Sequence, residues 1–558
     1  MSIVNEFSLL IGGKAGFGID KSGGIIGRLL NRLGYRVFIY RDYPSLIRGG
    51  HTFSIIRASN QRVAAHTDKI DLIIALDQET INLHRNSLKG DCLFVFDSDQ
   101  VKIDAGKTCG SGVPLGKILK EELAPEIMRN TGAIGAMART IGVSFDILEE
   151  VLKKEIAREI GLNLKVARRG FDSAGELMKI SPIDQKSLPM LSGNQALALG
   201  LIRGGLEAYI AYPMTPSSPI LHYLAQIADE FSLDVIHPES EIGVIMMALG
   251  YSYMGKRPAV GTSGGGFCLM TEGLSFAGMA ELPVVIILGQ RPGPSTGLPT
   301  HSCQTELHFA LSAGQGEFVR LVTAPGDAEE AYYWANVSMN MSWKYQIPSI
   351  ILSDKNLGES TFNIDIDAIG EFKEEVSLLW DGKAPYKRYL LTENGVSPLA
   401  FAPAKGAIIK VNSYEHDESG ISTEDPKTTI SMQDKRLRKE GSILKDVEGL
   451  EPVKVYGDKK SETGLLFWGS NKGVSVEVGE KLGLRVIQPL VLSPFPVKRF
   501  CDALSGVKKL ICVESNATGQ LAKLIKGYGV KVDEPILKYD GRPFSVEELE
   551  NAIKGVLR

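Results

Sequence analysis

Short apolar runs alternate with amphipathic stretches along most of the chain, and that alternation predicts an α/β protein. In the first 180 residues, positions 7–11, 36–40, 51–57, 71–76 and 92–97 read as strands. Residues 18–33 read as a helix, and 133–156 carry apolar side chains at helical spacing. This is the order of a doubly wound parallel sheet. Residues 181–190 form a polar, proline-bounded linker. A second unit, 191–365, opens with a helix at Gly193-Asn194-Gln195-Ala196 and holds short apolar strands at 208–211, 258–262 and 284–288. The pattern breaks over 366–455, which is rich in charge, as in 433–440, and reads as an irregular connecting segment with little core of its own. A third unit, 456–558, has strands at 463–468, 485–488 and 509–513 and helices at 474–482 and 519–526. The expected fold is α/β with three doubly wound units.

Composition narrows the class. The chain has 558 residues, too many for one core, with 44% apolar and 23% charged residues, as in ordinary soluble proteins. A net charge of −4 gives no reason to expect nucleic acid or an anionic membrane as partner. The first residues carry no basic leader and lead directly into a strand, so no signal peptide is expected. The apolar run from Leu282 to Leu288 is far shorter than the ~20 residues that span a bilayer. Cys92, Cys109, Cys268, Cys303, Cys501 and Cys512 are scattered without a C-x-x-C, which argues against a zinc site or a self-contained iron–sulfur cluster. They read as reduced thiols of a cytoplasmic protein, and no metal ligand is assigned.

Glycines mark several turns. Gly12, Gly13, Gly16 and Gly18 lie between the first strand and its helix, where a phosphate meets a helix N-terminus in doubly wound sheets. Their spacing is not G-x-G-x-x-G, and Asp42 alone does not make a ribose site; a tight turn for helix–strand packing is the competing reading. No Walker A sequence occurs. Arg48-Gly49-Gly50-His51 is either an exposed turn or an anion-binding corner. Ser263-Gly264-Gly265-Gly266 follows a strand and lets backbone approach a flat ligand, or makes a crowded turn.

The most informative stretch is Tyr212-Pro213-Met214-Thr215-Pro216-Ser217-Ser218-Pro219, followed by Glu239-Ser240-Glu241 at the head of an almost wholly apolar helix. A rigid turn presents a hydroxyl, and a carboxylate is held where water is scarce. With Thr262-Ser-Gly-Gly-Gly266 and Arg291-Pro-Gly-Pro-Ser-Thr-Gly-Leu-Pro-Thr300, these motifs resemble the α subunit of 2-oxoacid:ferredoxin oxidoreductases that carry the γ domain at the N-terminus. The resemblance covers nearly the whole length. Residues 1–180 look like the γ domain, with Asn130-Thr-Gly-Ala-Ile-Gly135 among the matching stretches. Residues 191–365 look like the pyrimidine-binding domain of thiamine-pyrophosphate enzymes. Residues 456–558 look like the transketolase C-terminal-like domain, most clearly at Glu514-Ser-Asn-Ala-Thr-Gly-Gln520. Three places depart from the family: Met214 where Ile is commoner, Gly265 where Pro is frequent, and His301-Ser302-Cys303 where Lys-Thr-Glu-like residues are common. The last lies near the expected substrate mouth and leaves substrate identity open.

The resemblance implies roles. Glu241 would be the carboxylate bonded to N1′ of the thiamine pyrophosphate aminopyrimidine, with Gly264 and Gly265 against the cofactor. The other reading of Glu239 and Glu241 is a pair of helix-start carboxylates favoured by the dipole. Thr215, with Tyr212 and Pro213, would face cofactor and substrate, against the plainer reading of a solvated threonine in a stiff turn. Arg291, at the carboxyl end of a strand, would hold a 2-oxoacid carboxylate, against a surface salt bridge. Arg48 is a possible coenzyme A contact. The implied reaction is decarboxylation of a 2-oxoacid, two one-electron transfers to an iron–sulfur cluster, and acyl transfer to coenzyme A.

No Gly-Asp-Gly…Asn segment for Mg²⁺ and no cysteine set for a cluster is found. A β subunit is therefore expected to bring Mg²⁺ and [4Fe-4S], with ferredoxin as acceptor and an (αβ)₂ assembly. The domain arrangement favours 2-oxoglutarate or broad specificity, with pyruvate and branched or aromatic 2-oxoacids left open. Two alternatives stand beside this reading: a thiamine-dependent dehydrogenase component without ferredoxin, and a non-catalytic dinucleotide-binding or assembly subunit.

Overall fold

The structure, a computed structural model, describes residues 6–45, 50–103, 109–372 and 375–558. The chain divides into two units, Met1–Leu191 with Glu359–Asp365 and Ser545–Gly555, and Ser192–Gly358 with Ile366–Phe544 and Val556–Arg558.

In the first unit the apolar runs become β1 (Glu6–Lys14), β2 (Arg36–Asp42), β3 (His51–Ser59), β4 (Ile70–Ala75), β5 (Leu88–Asp97), β6 (Cys109–Val113) and β7 (Met190–Ser192). The helices are α1 (Ile19–Arg32), α2 (Gln78–His84), α3 (Leu115–Glu121), α4 (Arg129–Thr140), α5 (Phe145–Glu155) and α6 (Ile160–Asp172). With β14 (Thr361–Asn363) the strands form one sheet in the order β6-β5-β4-β1-β3-β2-β14-β7. Strands β6, β5, β4 and β1 are parallel, as expected. The β1–β3–β2–β14 side is antiparallel instead. Its reason is local: the segment joining β2 to β3 is too short for a crossover helix, so the chain must turn back on itself. The helical stretch expected at 133–156 is two helices, because Gly142 adopts φ 73 and ends α4, its N–H donating to the Arg139 carbonyl at 3.0 Å. The core packs Leu9, Ile11, Ile26, Leu30, Leu72 and Ile74 against Ala136 and Met137.

The second unit starts at α7 (Gly193–Arg203), whose capping box is reciprocal: Ser192 Oγ accepts from Gln195 N at 3.2 Å and Gln195 Oε1 from Ser192 N at 2.9 Å. There follow β8 (Ala208–Ile210), α8 (Ser218–Phe231), β9 (Asp234–Ile236), α9 (Glu241–Tyr253), β10 (Pro258–Ser263), α10 (Gly264–Ala280) and β11 (Val284–Gln290). Next come α11 (Leu307–Ser312), β12 (Leu321–Thr323), α12 (Ala328–Tyr345), β13 (Pro348–Asp354) and α13 (Lys355–Glu359). The sheet order is β18-β12-β13-β11-β10-β8-β9, parallel throughout except for β18 (Val491–Ser493). Strands β10, β11 and β13 are buried along their whole length; β10 and β11 match the apolar strands expected at 258–262 and 284–288, and β13 is an additional strand.

A third sheet, β15-β17-β16-β19-β20, is built from β15 (Val453–Gly457), β16 (Thr463–Phe467), β17 (Arg485–Pro489), β19 (Lys509–Glu514) and β20 (Glu534–Leu537), with α15 (Lys472–Lys481), α16 (Val497–Leu504) and α17 (Gln520–Lys526). Its side chains share an apolar cluster with the preceding sheet: Ile286 and Leu288 belong to the same core as Leu466, Trp468 and Ile487. The expected second and third domains therefore form one packing unit, tied further by β18 at the edge of the second sheet.

The expected irregular segment 366–455 needs a larger correction. Its last third is the 23-residue helix α14 (Pro426–Glu448), started by Asp425, whose carboxylate accepts from Thr428 N at 2.8 Å, and by Pro426 in the first turn. The charged run 433–440 is not a solvated loop. Lys435 and Lys439, one turn apart, are buried on Glu281, with Nζ–Oε distances of 2.7 and 2.8 Å for Lys435 and 2.5 Å for Lys439. No described helix is long and apolar enough to cross a membrane.

Candidate active site

The carboxyl ends of β8, β10, β11 and β13 open on the same side of the parallel sheet, the edge where α/β proteins bind ligands. The turn after β8 is built by its own polar groups. Ser217 N and Ser217 Oγ both donate to the Met214 carbonyl, at 2.9 and 2.8 Å. Asn194 Nδ2 holds the Pro216 carbonyl at 2.9 Å. Arg291, just past β11, donates from Nη1 to the Thr215 carbonyl at 2.9 Å. The guanidinium thus fixes the turn that carries Thr215. Thr215 and Pro213 are half-buried, and the Tyr212 ring is exposed and edge-on to His237.

Glu241 is the first residue of α9 and is only 4% exposed, whereas Glu239 is exposed. Glu241 Oε1 is buried without a hydrogen-bond partner. A buried carboxylate oxygen left unpaired costs about 1–3 kcal/mol, so it marks a place where a donor belongs. The N-terminus of α10 lies against it. A Cβ on Gly266 would meet Glu241 Oε1 at 2.6 Å, and Thr262 Oγ1 closer still. A Cβ on Gly264 would meet Glu306 Oε1 at 2.8 Å, while one on Gly265 would meet nothing. The glycine run therefore lets a helix N-terminus, with its unsatisfied N–H groups, come between two carboxylates, and it leaves open space at Gly265. Tyr209 Oη, Ser263 Oγ and Ser353 Oγ, on the same strands, are also buried and unpartnered. Orphaned donors and acceptors, a glycine cradle and free space suit a flat heterocycle with polar edges. Among the described residues no group of three or more His, Cys, Asp or Glu is placed to hold a metal ion.

Sequence reasoning missed three contributors, Glu306, Gln304 and Gln290, and held Gly266 only as the last residue of the glycine run. Glu306 is nearly buried; its Oε1 accepts from Thr305 Oγ1 at 2.9 Å and its Oε2 has no partner. Burial pushes its carboxyl up to about 7, although Thr305 and Arg291 pull the other way. Gln290 Oε1 accepts from Glu306 N at 3.1 Å. Gln304 is fully buried and tied at every polar atom: Nε2 to the Trp468 carbonyl at 2.7 Å, Oε1 from Asn471 Nδ2 at 2.8 Å and from Ser515 N at 2.9 Å. The available signal was an acidic residue opening a helix (α11) a few positions beyond the Arg291–Thr300 motif. Within that motif only Gly297 requires glycine, with φ 53 and a Cβ position that collides with the Pro292 carbonyl. Cys303 is buried, and its thiol is pushed well above the usual range by burial and by Glu306. Arg48 lies outside the described residues.

A parallel sheet whose carboxyl edge joins a buried acid to a glycine-led helix fits a thiamine-diphosphate-binding protein, the class that one matching family model names. Residues 199–435 match the family model "Pyruvate flavodoxin/ferredoxin oxidoreductase, thiamine diP-bdg", and residues 8–173 match "Pyruvate ferredoxin/flavodoxin oxidoreductase". The chain is 31% identical to the 2-oxoacid:ferredoxin oxidoreductase subunit alpha of a Sulfolobus species, over 99% of this chain and 97% of that one. It is also 31% identical to 2-oxoacid:ferredoxin oxidoreductase 1, subunit alpha, of Sulfurisphaera tokodaii, over 99% and 98%. Among solved structures it is similar to the 2-oxoglutarate:ferredoxin oxidoreductase from Magnetococcus marinus with 2-oxoglutarate, coenzyme A and succinyl-CoA bound. That likeness has a TM-score of 0.90 and 30% identity and covers all of both chains. The chain belongs to the 2-oxoacid:ferredoxin oxidoreductase family, as an alpha subunit, and is part of an oxidoreductase.

Proposed function

We propose that this chain supplies the pyrimidine side of a thiamine-pyrophosphate site and, with a β subunit, oxidises a 2-oxoacid and coenzyme A to acyl-CoA and CO₂. The two electrons pass singly to ferredoxin and one proton is released. The observation that carries the reading is Glu241: a buried carboxylate at a helix start, with one oxygen unpartnered, facing the glycine N-terminus of α10. When bound, the cofactor supplies a nucleophilic carbon that lets the 2-oxoacid lose CO₂. Glu241 accepts a hydrogen bond from the aminopyrimidine and so controls where that ring carries its proton. Gly264, Gly265 and Gly266 admit the ring. Arg291 steadies the Thr215 turn through one N–H and directs the rest of its guanidinium to the substrate carboxylate, with Tyr212, Pro213 and the Thr215 hydroxyl around the substrate.

The surface supports a partner subunit. Ile242, Met246 and Met247 on α9 and Leu269 on α10 are exposed apolar residues beside the Glu241 end of the site. Ile242, Met246, Leu269 and Phe276 line a groove of about 690 Å³. Such a face suits a subunit that brings Mg²⁺ and a [4Fe-4S] cluster to complete the site, in an (αβ)₂ assembly working in the cytoplasm. Because the similar Magnetococcus marinus enzyme is a 2-oxoglutarate oxidoreductase, 2-oxoglutarate is the favoured substrate. The test is acceptor reduction by the co-expressed subunits across a panel of 2-oxoacids, with and without coenzyme A. Turnover that needs coenzyme A and is highest with 2-oxoglutarate supports the reading. Turnover by this chain alone, or none with any 2-oxoacid, contradicts it.

A further inference from the structure

Two carboxylates flank the N-terminus of α10, and the reaction as proposed uses only Glu241. The second, Glu306, has three features that set it apart from a structural acid. Its Oε2 is buried and unpartnered. Gly264 lets the α10 N-terminus approach its Oε1. Its main chain is held rigidly, by Gln290 Oε1 on its own N–H and by the Gln304 clamp two residues earlier. Arg291, the cation assigned to the substrate carboxylate, acts on it through space. If Glu306 ionised, it would compete with an incoming anion for that guanidinium. If it stays neutral, the arginine is left uncompensated.

We propose that Glu306 is a specificity-determining acid: it stands beside the glycine N-terminus of α10 as a neutral carboxyl and leaves Arg291 free to bind the carboxylate of a 2-oxoacid, so that substrate binding is linked to a proton on Glu306. This rests on the substrate reading above. The groups facing Glu306 set the balance. Burial favours the neutral form and Asp354, at the end of β13, reinforces it. Against them stand Arg291, at the end of β11, and the Thr305 hydroxyl and N–H. Cys303 contributes a thiol that burial keeps protonated, and the α10 glycines contribute no titratable side chain. His308, two residues on in α11, has a buried, unpartnered Nε2. The outcome is a carboxyl that titrates at about 7. Below that pH it is neutral and the pair carries the positive charge of Arg291; above it the carboxylate neutralises Arg291 and the anion is repelled.

The test is calorimetric titration of 2-oxoglutarate into the assembled α–β complex freed of thiamine pyrophosphate, from pH 6 to 8.5, in two buffers of different ionisation enthalpy. The wild type is expected to lose affinity above about pH 7, approaching tenfold per pH unit, and to take up close to one proton per bound anion at pH 8. Glu306→Gln is expected to bind with the wild-type affinity of pH 6 at every pH and with no linked proton at this step. Should the Gln variant fail to assemble, infrared difference spectra of the wild type decide: a carboxylic C=O band that disappears between pH 6 and 8, and is retained to higher pH with 2-oxoglutarate bound, supports the assignment. An unchanged pH dependence in Glu306→Gln, no proton uptake by the wild type, or no such band overturns it. Absence of any 2-oxoglutarate binding by the wild type at pH 6 overturns the substrate reading, and this inference with it.

Discussion

Burying a carboxyl group is expensive unless it is bonded or discharged, and the two acids at the head of α10 follow different routes. Glu306 is discharged by burial, with its carboxyl at about 7 against 4.5 for an ordinary glutamate. A raised acid contributes stability at low pH and loses it as pH rises through the folded value. The wild type should thus lose about 3 kcal/mol between pH 4.5 and 8 through this residue, and Glu306→Gln should lack that slope, as read from unfolding midpoints across pH. Glu241 instead depends on space kept open by Gly266. Gly266→Ala places a methyl group where Glu241 Oε1 and Thr262 Oγ1 lie. It should weaken thiamine pyrophosphate binding at least tenfold without unfolding the chain, whereas Gly265→Ala, pointing into open space, should leave it nearly unchanged. Isothermal titration of the three complexes checks both. Of these residues Glu241 and the α10 glycines were legible in the sequence as candidates, because a Glu-Ser-Glu before an apolar helix and a glycine run after a strand are local signals. Glu306 was not: its burial depends on Gln304 reaching Trp468, Asn471 and Ser515, which lie more than 160 positions away, as Trp468 does at a separation of 164.

At the scale of elements, α14 shows how charge can conceal a core-facing helix. Lys435, Lys439, Arg436 and Glu440 suggest a solvated run, yet the two lysines fall on one face and close on Glu281, the residue that ends α10 with φ 52. Arg388 binds the Glu281 carbonyl at 2.7 Å and Gln346 Oε1 at 2.9 Å. Burial would raise the Glu281 carboxyl, but Lys435, Lys439 and Arg388 hold it far below the usual range; burial in turn lowers Lys435 to about 7 despite Glu281. Glu281→Gln would leave buried cations uncompensated and should cost about 3–5 kcal/mol, seen as a lower melting temperature and earlier protease cleavage within 366–455. The strands of the parallel sheet were legible for the opposite reason. Buried on both faces, β10 and β11 carry no charge and match the expected strands at 258–262 and 284–288, whereas β13, which ends in Asp354, lies outside the expected strands. The antiparallel half of the first sheet was not, since strand direction is set by how little chain joins β2 to β3 and not by apolar spacing.

For the whole molecule, the exposed apolar face of α9 and α10 lies beside the orphaned acid, and under the proposed function the two together are half of a site that a partner subunit completes. Met246→Glu, on the exposed side of α9, should leave the melting temperature within a few degrees of the wild type and abolish co-purification with the β subunit, read by size-exclusion chromatography. The most direct test of the central claim is coenzyme-A-dependent reduction of ferredoxin by the assembled complex, comparing wild type with Glu241→Gln. A carboxylate that sets the protonation of the cofactor contributes about 10²–10⁴-fold to the rate, so turnover should fall by that factor while the subunits remain assembled. A Glu241→Gln complex that turns over at the wild-type rate would contradict the account.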